Sequence, residues 1–144
     1  MTRMSKLLVT GLVLAAGIAY AQVEATDPDV IARKAQMKVH GGSAKVLGEM
    51  AGGKTAYDAA AAEAAKAALI EAAAQTEAHF TVNATDPAST AKPEIWTNWE
   101  DFLVKASALQ DAAAALDTSS AETIGAGMGA IGGACKDCHS TYRM

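Results

Sequence analysis

Alanine fills 35 of the 144 positions, in runs such as 59–62 and 112–115, while aromatic residues make up only 5%. Alanine is the strongest helix former and adds almost no side-chain volume. Such a chain is driven toward helices packed closely through small side chains. A β-sandwich would want β-branched and aromatic residues instead. Although 51% of the residues are hydrophobic, little large apolar volume is available for a core. The length suits one domain. A formal charge of −4 gives no electrostatic footprint for nucleic acid. Two cysteines, Cys135 and Cys138, exclude a multi-disulfide scaffold.

Residues 1–21 read as a secretory signal. Arg3 and Lys6 form a positive start, and Leu7 to Ile18 is an apolar run too short to span a bilayer comfortably. Ala19-Tyr20-Ala21 is a small-x-small cleavage site. The expected layout is a cleaved signal peptide over 1–21 and one helical domain over 22–144, exported to a bacterial periplasm and free of the membrane after cleavage. Cleavage leaves 123 residues, and the loss of Arg3 and Lys6 takes the formal charge from −4 to −6.

Punctuation marks four helices. Asp27-Pro28 opens the first, a capping carboxylate followed by proline at the first helical position. It runs to about Ala51 and stops at Gly52-Gly53. The second starts near Tyr57-Asp58 and runs to about Phe80. Asn83, Asp86-Pro87, Ser89 and Thr90 mark a loop. Pro93 opens the third, which continues to about Leu116. Ser119-x-x-Glu122 is a capping-box pattern for the fourth, which continues to the C-terminus. Four helices of this length predict an all-α, antiparallel four-helix bundle.

Helix one has two apolar stripes. Ile31, Ala35, Val39, Gly42, Val46 and Met50 share one face and predict an ordinary bundle core. Arg33, Met37, His40, Ala44 and Leu47 share another, flanked by Gly41 and Gly48, and predict packing against something further, a cofactor or a second subunit. Helix four carries Gly125, Gly127, Gly129, Gly132 and Gly133. Each costs a helix interior roughly 0.8–1 kcal/mol relative to alanine. Close approach of backbone to backbone, or to a flat ligand, would offset that cost.

The chemistry lies at the C-terminus, in Cys135-Lys136-Asp137-Cys138-His139. On a helix the two cysteines share a face about one turn apart, where they can hold two edges of a haem by thioether bonds. His139 follows directly and presents its imidazole to the iron from the same side. The pentapeptide reads as c-type haem attachment, and one copy implies one haem. A redox dithiol would sit near a βαβ pattern, which this chain lacks. A structural zinc site needs four ligands, and only His40 and His79 remain, far apart in sequence.

The motif near the C-terminus, on the last helix of an expected bundle, resembles the class II c-type cytochromes, which comprise cytochrome c′ and the low-spin cytochrome c556 group. The resemblance runs from about Asp29 to Arg143. Its other pieces are Arg33-x-x-x-Met37, Lys54-x-x-Tyr57-Asp58, Pro93-Glu94-Ile95-Trp96 and the trailing Tyr142-Arg143. It implies one covalent haem c with iron, thioether attachment at Cys135 and Cys138, and His139 as proximal ligand. It also implies Arg143 beside the proximal face, Arg33 near a propionate, and Met37 at the distal position.

Met37 is where that family divides. Where the distal residue does not bond the iron, the haem is five-coordinate and takes up NO or CO. Where a methionine ligates, the haem is six-coordinate and suited to electron transfer. Methionine is compatible with both. The resemblance thus implies one-electron transfer with redox partner proteins, with NO or CO binding as the alternative, and it makes a homodimer through helix one an open option. No enzyme activity is expected. His40 reads as a partly exposed packing histidine and His79 as a helix-end cap. Trp96 reads as core; being three residues apart, Trp96 and Trp99 are not expected to share one core.

Overall fold

The computed structural model describes residues 23–144, so the expected signal peptide over 1–21 lies outside the described residues. Its helices are α1 (Pro28–Ala51), α2 (Ala59–Ala74), α3 (Thr76–Phe80), α4 (Glu94–Thr97), α5 (Trp99–Ala114) and α6 (Ala121–Tyr142). There is no strand among the described residues, only an isolated bridge between Ala91 and Arg143. None of these helices is long and apolar enough to cross a membrane.

The four long helices close a ring in which α1 packs on α2, α2 on α5, α5 on α6 and α6 on α1. This is the expected antiparallel four-helix bundle. α1 starts as its sequence dictates: the Asp27 carboxylate accepts from the N–H groups of Asp29 (2.9 Å) and Val30 (3.2 Å), with Pro28 in the first turn. Asp86 ties this start to the long loop, accepting from the N–H groups of Thr26 and Asp27 and from the Thr26 hydroxyl. Those bonds hold the Asp86 carboxyl well below the usual carboxylate range.

Three expectations change in detail. The second helix is interrupted at Gln75, because the Ala72 carbonyl is taken by the Gln36 amide from α1 (2.5 Å) and the Gln75 N–H closes a tighter turn on it (3.2 Å). The third helix breaks at Asn98, whose backbone (φ −121°, ψ 45°) resets the helical phase between α4 and α5. Trp96 and Trp99 therefore do pack against one cluster, contrary to the expectation from their spacing. Finally, the cap of α6 is Ser120 with Thr123, each side chain bonding the other's backbone N–H, rather than Ser119 with Glu122.

Two cores result. The larger is aliphatic and alanine-rich, built on Leu47, Leu69, Leu109, Leu116, Ile124 and Ile131. The smaller is aromatic, built on Phe80, Ile95, Phe102 and Tyr142 with both tryptophans against it. Phe102 is its hub, 5.1 Å from the Phe80 ring, 5.5 Å from Trp99 and 5.4 Å edge-on from Tyr142.

The two stripes of α1 exchange roles. Val30, Arg33, Gln36, His40, Ser43, Leu47 and Met50 are buried. Ile31, Val39 and Val46, expected in the core, are 48%, 42% and 39% exposed. On this buried polar face Arg33 and the Gln36 amide nitrogen find partners, whereas Gln36 Oε1 and His40 Nε2 do not. The Gln36 amide donates to Ala72 O and to the Thr76 hydroxyl, and Arg33 donates to three carbonyls.

The glycines of α6 split into two kinds. A Cβ at Gly125 would rest 3.7 Å from Ala51 Cβ, and one at Gly127 would overlap the buried Leu116 side chain. At Gly129, Gly132 and Gly133 a Cβ would meet nothing within 4 Å. Gly129 and Gly133 lie two residues either side of buried Ile131 and so on the opposite, solvent face. Close approach thus accounts for Gly127 alone, since a Cβ at Gly125 would make only ordinary contact. Gly129→Ala and Gly133→Ala are each expected to stabilise the protein by roughly 0.5–1 kcal/mol through helix propensity. Gly127→Ala is expected to destabilise it, because overpacking costs about 1–3 kcal/mol. Denaturant unfolding of the three variants checks both signs.

Candidate functional site

Cys135 and Cys138 lie three residues apart on α6, both half-buried and both free thiols. Cys135 packs against the aliphatic core and Cys138 against the aromatic one, so the motif straddles the junction of the two. Burial pushes the Cys135 thiol up and the Cys138 thiol to about 11. Such thiols are protonated at neutral pH, the opposite of what dithiol exchange requires of its nucleophile.

His139 is exposed in the last turn of α6. Desolvation by the surrounding chain, and then the Arg143 guanidinium, lower its pKa. Both favour the neutral imidazole, the form that ligates a metal. Arg143 is exposed and ends the helix, its N–H donating to His139 O at 3.0 Å.

The end of α6 is held from several sides. The Lys92 N–H donates to Tyr142 O and the Met144 N–H to Thr90 O, each at 2.9 Å. The Tyr142 hydroxyl donates to Asp101 Oδ2 at 2.6 Å. Lys105 pairs with Asp137, inside the motif, at 2.8 Å. An exposed pair of this kind aligns α5 with α6 more than it stabilises them.

α1 faces this motif in a definite register. A Cβ at Gly48 would lie 3.7 Å from Met128 Cε, and Ala51 meets the Gly125 position at the same distance. Carried along both antiparallel helices at equal rise, these contacts bring Met37 level with His139. Met37 is half-buried and packs on the same aromatic cluster as Cys138. The structure thus brings Met37, Cys135, Cys138 and His139 to one end of the bundle.

Arg33 is buried, with only 3% exposed. Its Nε donates to His79 O (2.9 Å), one terminal nitrogen to Ala84 O (3.4 Å) and the other to Val82 O. The guanidinium also sits 5.0 Å from the centres of both the Phe80 and Trp96 rings. It therefore clamps the segment after α3 beneath the aromatic cluster. The Trp96 indole reinforces the clamp by donating to Phe80 O at 2.7 Å.

His40 departs from its expectation. It is 8% exposed rather than partly exposed, and its Nε2 is buried without a partner. Burial is the main cause that lowers its pKa; the nearby Ala72 carbonyl opposes this, and charge on His139 adds to it. Sequence reasoning missed this burial because histidine beside Lys38 and Gly41 carries no hydropathy signal. It also missed the Tyr142–Asp101 bond, which joins positions 41 residues apart.

These residues fit a haem. The two thiols share one helix face, a neutral imidazole follows, and an unpartnered buried nitrogen lies on the facing helix. A helical bundle with this donor set on its last helix is a c-type cytochrome holding one covalent haem c. The family model described as Cytochrome C' matches residues 29–143. The chain belongs to the cytochrome c′ family, a haem class of electron carriers and gas binders.

Its relatives fall on both sides of that class. The chain is 36% identical to cytochrome c-556 of Agrobacterium fabrum over 134 residues, covering 91% of this chain and 88% of that protein. It superposes on cytochrome c′ from Rhodopseudomonas palustris with a TM-score of 0.75 at 26% identity, covering 83% and 98% of the two chains. It also matches a ferrous variant of cytochrome c prime from Alcaligenes xylosoxidans with bound NO, with a TM-score of 0.70 at 27% identity over 81% and 94%.

Arg33→Ala strips the partners from three carbonyls, and an unsatisfied buried group costs about 1–3 kcal/mol. The expected loss is at least about 3 kcal/mol in denaturant unfolding of the haem-loaded protein. Arg33→Lys should recover less than half of it, because a single ammonium cannot serve three fanned acceptors.

Proposed function

We propose that this protein is a periplasmic one-electron carrier, with a haem attached at Cys135 and Cys138 and ligated by His139 and Met37. The observation that carries this reading is the α1–α6 register, which sets Met37 level with His139 on the facing helix. When bound, the haem supplies the reversible ferric–ferrous couple, and methionine–histidine ligation raises its potential. Cys135 and Cys138 hold its edge from adjacent turns of α6. The neutral His139 ring offers a nitrogen lone pair, and the Arg143 charge disfavours protonation of that ring. Arg33 uses three of its five N–H donors on carbonyls, which leaves two for a propionate. The aromatic cluster excludes water beside Met37. The chain works as a carrier with redox partner proteins rather than as an enzyme, with 1–21 as a removed export signal and 22–144 as the working domain.

A second reading is favoured by the likeness to the NO-bound Alcaligenes protein: a five-coordinate iron that binds NO or CO, with Met37 near but not bonded. The ferric absorption spectrum separates the two. Methionine ligation gives a far-red charge-transfer band that Met37→Ala abolishes. A high-spin ferric spectrum with tight CO binding to the ferrous protein would establish the second reading instead.

The same proposal includes a second copy of this chain on the α1–α2 face. Val39, Gly42 and Val46 of α1 line a shallow groove with Ala61, Ala64 and Ala65 of α2, and none of these residues is charged. Ile31 extends the apolar stripe along α1. A Val39→Glu/Val46→Glu variant is expected to sediment as a monomer with an unchanged haem spectrum, against a dimeric parent. A parent that is monomeric at every concentration would rule the dimer out.

A further inference from the structure

Among the buried polar groups of α1, Arg33 and the Gln36 amide nitrogen are satisfied, whereas Gln36 Oε1 and His40 Nε2 are not, and of these two only the imidazole nitrogen is a common metal ligand. Leaving a buried donor or acceptor unmatched costs about 1–3 kcal/mol. A histidine at the centre of a buried helix face therefore calls for an account that packing alone does not give. Its position supplies one. The register that sets Met37 opposite His139 also sets Cys138 level with Lys38 and Cys135 level with Gly41. His40 falls within the interval spanned by the two cysteines; Met37 falls just outside it. The two side chains are three residues apart on α1, which makes them neighbours on one helix surface.

The state of the ring fits as well. Its Nε2 is buried and has no hydrogen-bond partner. A metal ligand needs such a free ring nitrogen, and burial favours the neutral imidazole that carries its lone pair.

We propose that His40 is a second distal ligand of this chain, able to bind the haem iron through Nε2 when the Met37 sulfur leaves. The exchange breaks one iron–sulfur bond and forms one iron–nitrogen bond. The electron pair comes from Nε2, the proton stays on Nδ1, and no electron is transferred. The iron then stays six-coordinate, and its distal side stays closed to small gases, even without the thioether. This rests on His139 and the two cysteines setting the haem as described above. Where Met37 does not ligate the resting protein, Nε2 would bind once the Met37 side chain is removed, with no iron–sulfur bond to break.

The test compares ferric Met37→Ala with ferric Met37→Ala/His40→Ala, both haem-loaded, by absorption and electron paramagnetic resonance. The single variant is expected to be low-spin with two imidazole ligands and no far-red band. The double variant is expected to be high-spin, to bind CO readily when reduced, and to return to low-spin on adding imidazole, which shows that its pocket is intact. High-spin spectra indistinguishable between the two variants would overturn the proposal. Met37→Leu and Met37→Leu/His40→Leu make the same comparison with side-chain volume kept, should the alanine pair lose its haem. The parent's far-red band judges Met37 separately, so the two readings can fail independently.

Discussion

The close approach of α1 to α6 sets everything else at this end of the molecule. It is made by small groups: Gly48 lets Met128 lie against the α1 backbone, and Gly125 does the same for Ala51. Two such contacts on antiparallel helices fix an axial register, and the register decides which α1 side chains stand opposite the attachment motif. A side chain larger than alanine at either position would wedge the helices apart and shift Met37 and His40 relative to His139. The placement of these three side chains thus depends on contacts about three turns away from Met37.

The second organising feature is segregation. Five of the seven aromatic side chains, Phe80, Trp96, Trp99, Phe102 and Tyr142, gather at one end, and the other end is packed with alanine and leucine. Alanine-rich interfaces bring helix backbones close, whereas the aromatic cluster holds them further apart and shields the ground beside Met37 and Cys138. Arg33 joins the two features. Anchored in α1, it fixes the segment after α3 against the aromatic rings through hydrogen bonds and two cation–π contacts.

Much of this was legible in the sequence, for local reasons. The Asp27-Pro28 start, the Gly52 stop and the cysteine motif are written in adjacent residues, and the structure keeps each in its expected element. Expectations erred where a local signal was ambiguous. Ser119 and Ser120 both qualify as caps by spacing, and tertiary placement selected Ser120. Nothing at Asn98 announces a break, since the residues around it form helix on both sides. The faces of α1 were exchanged because periodicity detects stripes without saying which is inside. Three valine and isoleucine positions look more like a core than Arg33, Gln36, His40 and Ser43 do. Only the acceptors offered by α2, α3 and the following loop make the polar stripe the buried one, and those lie 36–51 residues away.

The aromatic segregation also decides what light can see in this molecule. The chain has two tryptophans, and both sit against the aromatic cluster beside Cys138. A haem held there would lie close enough to drain their excited states, so emission would appear only when this end opens. The alanine-packed end has no such reporter and is visible chiefly through its peptide backbone. Fluorescence therefore watches one end of the bundle and far-ultraviolet circular dichroism the whole of it, and their agreement or disagreement during unfolding measures how firmly the two ends are coupled.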